Sequence, residues 1–368
     1  MDEKPAFCHS AQQHAGRNQL TTPEKPLSFI CVGAGAIGGY VSASLLAAGH
    51  RVTIIERPHN IEVLRADGLV VQHLDGSILQ TMPELFPSFD ALTALRNFDL
   101  IILALKSFDT PAFLDSVTPF LNQLPPVLSL QNGIDNERLL AAHLGPDRVI
   151  AGTVTTAVGK QAVGRLIIER LRGIGIAGAH PLTRKLMLAL NTAGLNPRHY
   201  PDAASMKWSK LLTNLVANAT SAILDMTPAQ IYASRVGFEV ERAMMREALH
   251  TLTALGHRVT DLPGTPVRAM ASAFRALPPG LARPLLARAI GSGRGGKMPS
   301  LHMDLHGGRK SSEVTYLNGA VVRAARQAGL SAPINETLER LLTVLINDPN
   351  RAADFRHNPE ALARATLP

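Results

Sequence analysis

The residues with the clearest chemical potential lie in the second half of the chain, in the stretch KWSKLLTNLVAN at 207–218. Lys210, Asn214 and Asn218 recur at i, i+4 and i+8, which on one continuous helix lines an ammonium and two amides along a single face. Leu211, Leu212, Leu215 and Val216 fall on the other faces and can pack. A lysine with a reference pKa of about 10.4 is a proton donor at neutral pH, and carboxamides grip carbonyls, hydroxyls and carboxylates. Burying such a face idly would be costly. It suits a cleft that holds a small acid carrying a carbonyl and a hydroxyl; the plainer alternative is a solvated helix face.

A second constellation stands near the start. GAGAIG at 33–38 follows the apolar run SFICV and opens a helical stretch. Gly33 permits a tight turn, Gly35 lets backbone approach a pyrophosphate, and Gly38 allows close helix–strand packing. Ala34, Ala36 and Ile37 complete a turn whose free N–H groups and positive dipole end attract phosphate. The strand RVTIIE that follows ends in Glu56, eighteen positions after Gly38. A carboxylate there accepts hydrogen bonds from ribose hydroxyls and favours NAD(H), whereas Arg57 beside it can pair with a 2′-phosphate and favours NADP(H). The residues leave both cofactors open.

Three further candidates sit at element ends. Lys106 closes DLIILALK, and Asn132 with Gly133 closes VLSLQNG, both at the C-terminal strand edge where open α/β sheets bind ligands. Glu313 in KSSEVTYLNG reads either as a cleft carboxylate or as a first-turn residue favoured by the helix dipole. No metal-ligating set is identified.

Those residues require a scaffold, and the pattern predicts one. Short apolar runs at 28–33, 51–56, 68–74, 99–105, 127–132 and 149–159 alternate with helical stretches such as 36–49, which implies right-handed βαβ units and a mostly parallel, doubly wound sheet of Rossmann type. RLIIERL and GIGIAG add β-like segments near 165–178, followed by a helix at 181–193. After about Asp202 no strand run appears, and helical periodicity is interrupted only by Pro and Gly loops at 261–266, 278–284 and 291–299. The expectation is a flexible extension at 1–26, a dinucleotide-binding Rossmann domain at 27–201, an all-helical substrate and catalytic domain at 202–350, and a tail at 351–368. The helical run 235–256 could form either a homodimer surface or internal core.

Composition narrows the function class. At 368 residues the chain can bury two cores, and 46% hydrophobic with 18% charged residues is the profile of a globular enzyme. The net charge of +8 comes from scattered Lys and Arg, and only 4% of residues are aromatic, which argues for small anionic ligands and against nucleic acid. No apolar run approaches the roughly 20 residues of a membrane helix, so no membrane is expected. Cys8 and Cys31 stand in unlike settings and suggest no disulfide, which makes a reducing cytoplasm the default.

Taken together, GAGAIGGY, LALKSFDT around Lys106, LQNGIDNE around Asn132, KWSKLLTNLVAN around Lys210 and PSLHMDLHGGRKSSEVTYLNG around Ser300 and Glu313 resemble the ketopantoate reductase (2-dehydropantoate 2-reductase) family over roughly residues 28 to 348. The resemblance implies a Rossmann domain, a helical domain and an active site in the cleft between them. It implies Lys210 as general acid, Asn214, Asn218 and Ser300 as substrate-binding residues, Glu313 as the cleft glutamate, and Lys106 and Asn132 meeting cofactor and substrate. The implied reaction is reduction of a small anionic 2-oxo acid, 2-dehydropantoate, to (R)-pantoate for pantothenate synthesis, normally with NADPH. The chain departs from the family pattern in four places. The span from Ser300 to Glu313 is one residue longer, Lys297 stands where an asparagine is common, and no asparagine occurs near Thr227 and Pro228. Glu56 replaces a small residue before Arg57, so NAD(H) is not excluded. Other readings are a reductase of another 2-oxo acid, or a non-catalytic dinucleotide sensor.

Overall fold

The computed structural model describes residues 25–367 apart from 93 and 295–296, so the expected extension, including Cys8, lies almost entirely outside the described residues. Eight strands form the main sheet in the order β12-β11-β8-β7-β6-β1-β2-β5: β1 (Ser28–Val32), β2 (Arg51–Ile55), β5 (Glu84–Phe86), β6 (Leu100–Leu103), β7 (Val127–Ser129), β8 (Val149–Val154), β11 (Ile174–Ala177) and β12 (Pro197–Tyr200). All neighbours run parallel except β11 against β8. Strands buried on both faces explain the unbroken apolar runs. Phe29 and Cys31 join one core with Val41, Leu45 and Leu186, while Ile30 and Val32 join another with Phe113, Leu114 and Leu140. The helices that cover the faces are α1 (Ala36–Ala47), α2 (Pro58–Asp67), α3 (Thr110–Val117), α4 (Asn136–Leu144) and α5 (Thr183–Thr192).

Two sequence expectations change here. The run at 149–159 is two strands, β8 and β9 (Ala157–Ala162), and the run at 68–74 pairs outside the main sheet. β3 (Leu69–Gln72), β4 (Ile78–Thr81), β9 and β10 (Arg165–Arg170) form a separate sheet in the order β4-β3-β10-β9, packed beside α1. Period-2 patterning identifies a strand but not its neighbour, and the paired residues of β3 and β10 are about 95 positions apart in sequence, Leu166 opposite Val71 being typical.

Beyond Tyr200 the described chain is helical: α6 (Ala203–Leu215), α7 (Ala219–Leu224), α8 (Pro228–Ala233), α9 (Arg235–Ala254), α10 (Val267–Ala276), α11 (Pro279–Arg294), α12 (Ser300–His306), α13 (Val314–Gln327), α14 (Pro333–Asn347) and α15 (Pro359–Thr366). α9 runs through the middle of this layer, with Phe238, Met244, Met245, Leu249 and Leu252 buried in the chain's own core. The loop expected at 278–284, and the first part of that at 291–299, instead belong to α11, which carries Pro284 inside it and buries Ala282 and Leu286. Burial of one apolar face outweighs the hydrogen bond that a proline forfeits. The segment expected as a tail supplies α15, whose Leu362 is fully buried against α9, so 359–366 is part of the helical layer.

The most consequential difference lies in the chemical stretch itself. Lys210 and Asn214 sit on α6, but that helix ends at Leu215, Ala217 takes φ +49°, and Asn218 begins α7. The three residues therefore do not share one continuous helix. The cause is Glu241 on α9, fully buried, which accepts hydrogen bonds from the Ala217 N–H (2.8 Å), the Thr220 hydroxyl (2.7 Å) and the Tyr232 hydroxyl (3.1 Å). A buried carboxylate needs such donors, and by supplying an acceptor for the Ala217 N–H it makes the break in the helix tolerable.

Candidate functional site

The glycine turn leaves β1 with Gly33 at φ +94° and hydrogen-bonds back to the adjacent strand, Gly33 N–H to Ile55 carbonyl at 3.1 Å. A Cβ on Gly38 would fall 1.9 Å from the Gly33 carbonyl oxygen, so only glycine lets α1 approach the strand this closely. Above Gly35 the space is open, with no atom within 4 Å of where a Cβ would stand. Ala36 and Ile37 form the half-buried first turn of α1, which has no side-chain cap and no acidic residue. An uncapped helix start facing open space is a cradle that fits a dinucleotide pyrophosphate. Cys31 lies beneath the turn, where burial pushes its thiol up to about 12, so it is a packing residue.

Glu56 is aimed at this cradle. Its carboxylate accepts from the Ala34 N–H (2.7 Å), from the Arg57 N–H (2.9 Å) and from the Asn60 amide (3.1 Å). Arg57 starts α2 with its side chain exposed at the rim, where its charge and those of Arg309 and Lys106 partly offset the rise that burial imposes on Asp109.

Across the edge of the sheet, Lys106 follows β6 and reaches the helical layer. Its ammonium lies 2.5 Å from Glu313, which is almost wholly buried at the start of α13, and 3.4 Å from Asp304 on α12. Burial alone would pull the Lys106 ammonium down, but the Glu313 and Asp304 carboxylates outweigh it and hold it above its ordinary value. Lys106 is therefore protonated throughout the neutral range, and this clasp between the layers does not switch there.

Asn132 lies at the same edge. Its carbonyl accepts from the Ser107 hydroxyl (2.8 Å) and the Asn136 amide (2.6 Å), and Gly133 after it takes φ +89° with Tyr316 of α13 packed close by. The Asn132 side-chain oxygen accepts from the Asn214 amide at 3.0 Å, which joins α6 to the sheet edge. Lys210, one turn before Asn214, shares that face and is half-buried. Asn218 is buried, donates to the Asn214 carbonyl (2.9 Å) and accepts from the Leu301 N–H (3.1 Å), so it anchors the start of α12, where Ser300 is half-buried. The expected residues thus gather in two linked groups, Asn132 with Asn214, Asn218 and the start of α12, and Lys106 with Glu313.

Two supporting residues were not anticipated. Lys207, almost wholly buried, donates to the Gln131 carbonyl (2.6 Å) and pairs with Glu137 (2.7 Å), holding the backbone immediately before Asn132. Its signal was available: it lies seven residues before Asn214, on the same helical face. Asp304 is the second carboxylate on Lys106, and its i+4 spacing from Ser300 placed it on the same side of α12. A cavity of about 330 Å³ lies beside this junction, lined by Lys207, Trp208, Glu137 and His257 among others; none of the expected site residues lines it.

Comparison with known proteins agrees with this architecture. The family model described as ketopantoate reductase PanE/ApbA matches residues 29–178, and that of its C-terminal domain matches residues 202–345. A 2-dehydropantoate 2-reductase from Halobacterium salinarum is 26% identical, with 88% of this chain and 100% of the relative covered. The crystal structure of a PanE/ApbA family ketopantoate reductase from Ralstonia eutropha superposes with a TM-score of 0.73 at 25% identity, covering 88% of this chain and 99% of the other. A D-mandelate dehydrogenase, solved with NADH and anilino(oxo)acetate, shares the fold at a TM-score of 0.73 and 19% identity, with 88% and 99% covered. With both halves matched in order, the chain belongs to the ketopantoate reductase family and is an oxidoreductase of that family.

Proposed function

We propose that this chain reduces 2-dehydropantoate to (R)-pantoate at the expense of a reduced nicotinamide dinucleotide, with Lys210 as general acid. The observation that carries the reading is the Asn214–Asn132 hydrogen bond, because it turns the Lys210-bearing face of α6 toward the strand edge that also carries the glycine turn. The 33–38 turn holds the pyrophosphate, and the bound nicotinamide supplies the hydride. As the ketone is reduced, negative charge grows on its oxygen; the Lys210 ammonium stabilises that charge and delivers the proton. Asn214 and Asn218 hold the carbonyl and carboxylate, Ser300 takes the carboxylate end, and Glu313 accepts from the terminal hydroxyl. Asn132 and Lys106 meet both cofactor and substrate, and the Lys106–Glu313 pair draws the layers together to exclude water. The 2-oxo acid gains one hydride and one proton and leaves as the 2-hydroxy acid.

Arg57, exposed at the rim, supports NADPH through its charge on the 2′-phosphate. Glu56 favours a second reading, NADH, since three donors aim its carboxylate at the cradle and a phosphate there would meet like charge. That reading extends to other 2-oxo acids, given the fold neighbour solved with NADH and an oxoacetate derivative. Arg57→Ala is expected to raise the KM for NADPH roughly tenfold, the worth of one charge-assisted contact, with NADH kinetics unchanged. Equal responses to the two cofactors would remove Arg57 from the selecting role. Turnover followed at the reduced-nicotinamide absorbance band tests the reaction itself. 2-Dehydropantoate should give the highest kcat/KM in a panel of 2-oxo acids, and a better rival substrate would displace the pantoate reading.

A further inference from the structure

Among the described residues, one cluster of side chains apart from the expected site residues has the composition and geometry of a metal site. Asp225 ends α7 in a left-handed conformation, φ +51°, and projects its carboxylate at α12. There His302 and His306, one turn apart, bring both Nε2 atoms to the same carboxylate oxygen, at 2.8 and 3.9 Å from Asp225 Oδ1. Their rings are stacked with centroids 4.0 Å apart, and the three ligand atoms all lie within 4.8 Å of one another. In a tetrahedral zinc site with metal–ligand bonds near 2.0–2.1 Å, neighbouring ligand atoms stand roughly 3.3 Å apart. The two observed separations, 2.8 and 3.9 Å, bracket that value, so adjustments of about half an ångström would bring both to the spacing an ion needs.

We propose that Asp225, His302 and His306 bind one divalent, imidazole-preferring cation of the Zn²⁺ type. Two neutral imidazoles and one carboxylate make a three-ligand set that suits zinc and its neighbours better than the oxygen-seeking Mg²⁺ or Ca²⁺. The second carboxylate oxygen is held by Arg356 Nε at 3.0 Å, which leaves Oδ1 to ligate alone and fixes its direction, as outer-shell partners do. The Arg356 charge lowers affinity, but its side chain is mostly exposed and water screens it. His306 is the most exposed of the three, which leaves the fourth position to water. The ion would clamp the end of α7 to α12, the helix that also carries Ser300 and Asp304.

Tag-free full-length protein stripped by a chelator is titrated with Zn²⁺ by calorimetry, and with Co²⁺ by its visible absorption. We expect one equivalent bound at a Kd below about 100 µM that is lost or weakened at least tenfold in His302→Ala/His306→Ala, about the size of the loss expected when a metal site is perturbed. Should that pair fail to fold, His306→Gln, at the exposed position, is expected to weaken the same equivalent. The proposal is overturned if the parent protein takes up no metal in this range, or if the variants retain the full stoichiometry and affinity, in which case the cluster is an ordinary His–carboxylate hydrogen-bonded group. Neither readout involves turnover, so the result stands apart from the reductase reading.

Discussion

Replacing Lys210 with alanine is expected to lower kcat by about 100-fold or more, the usual contribution of a positioned general acid. Dinucleotide affinity should stay close to that of the parent, because the cradle at 33–38 is built from backbone and lies on the other layer. Single-turnover measurement separates the effects: the chemical step slows while the binding step does not. Near-normal turnover would remove Lys210 from the role and shift attention to Lys106, the other half-buried lysine at the sheet edge.

The second large effect is structural. Glu241→Ala removes the acceptor shared by the Ala217 N–H and the Thr220 and Tyr232 hydroxyls, all within the core. At about 1–3 kcal/mol for each of the three buried donors that lose this acceptor, the loss is expected to be on the order of 3–9 kcal/mol, read as a lower denaturation midpoint. Because the break between α6 and α7 sets where Asn218 stands relative to Asn214, kcat/KM should fall as well. Glu241→Gln retains a carbonyl acceptor and should lose less on both counts. An alanine variant as stable as the parent would mean that the break is fixed by the surrounding packing and not by this carboxylate.

These two residues also mark how far the chain could be read in advance. The glycine turn between β1 and α1 was legible because everything that makes it is local: a buried strand, three glycines at set spacing and a helix start within a dozen residues. The Rossmann and helical halves were legible for the same reason, since strand and helix periodicity are short-range signals. The break after Leu215 was not, because its cause, Glu241, lies 24 residues beyond Ala217 on another helix, and nothing between 207 and 218 signals it. The separate sheet of β3, β4, β9 and β10 escaped similarly, since its register joins segments about a hundred residues apart. Lys106 and Glu313 each stood out singly, but their pairing across 207 residues of sequence exists only in the fold, as does the meeting of Asp225 with His302.

A structure of the ternary complex with oxidised dinucleotide and a 2-oxo acid analogue tests the central claim most directly. Lys210 Nζ is expected within about 2.6–3.2 Å of the analogue's ketone oxygen, with the Asn214 amide on the same ligand and the pyrophosphate over Gly35. A complex in which Lys210 faces away from the ketone, and another group stands at hydrogen-bonding distance from that oxygen, would contradict it.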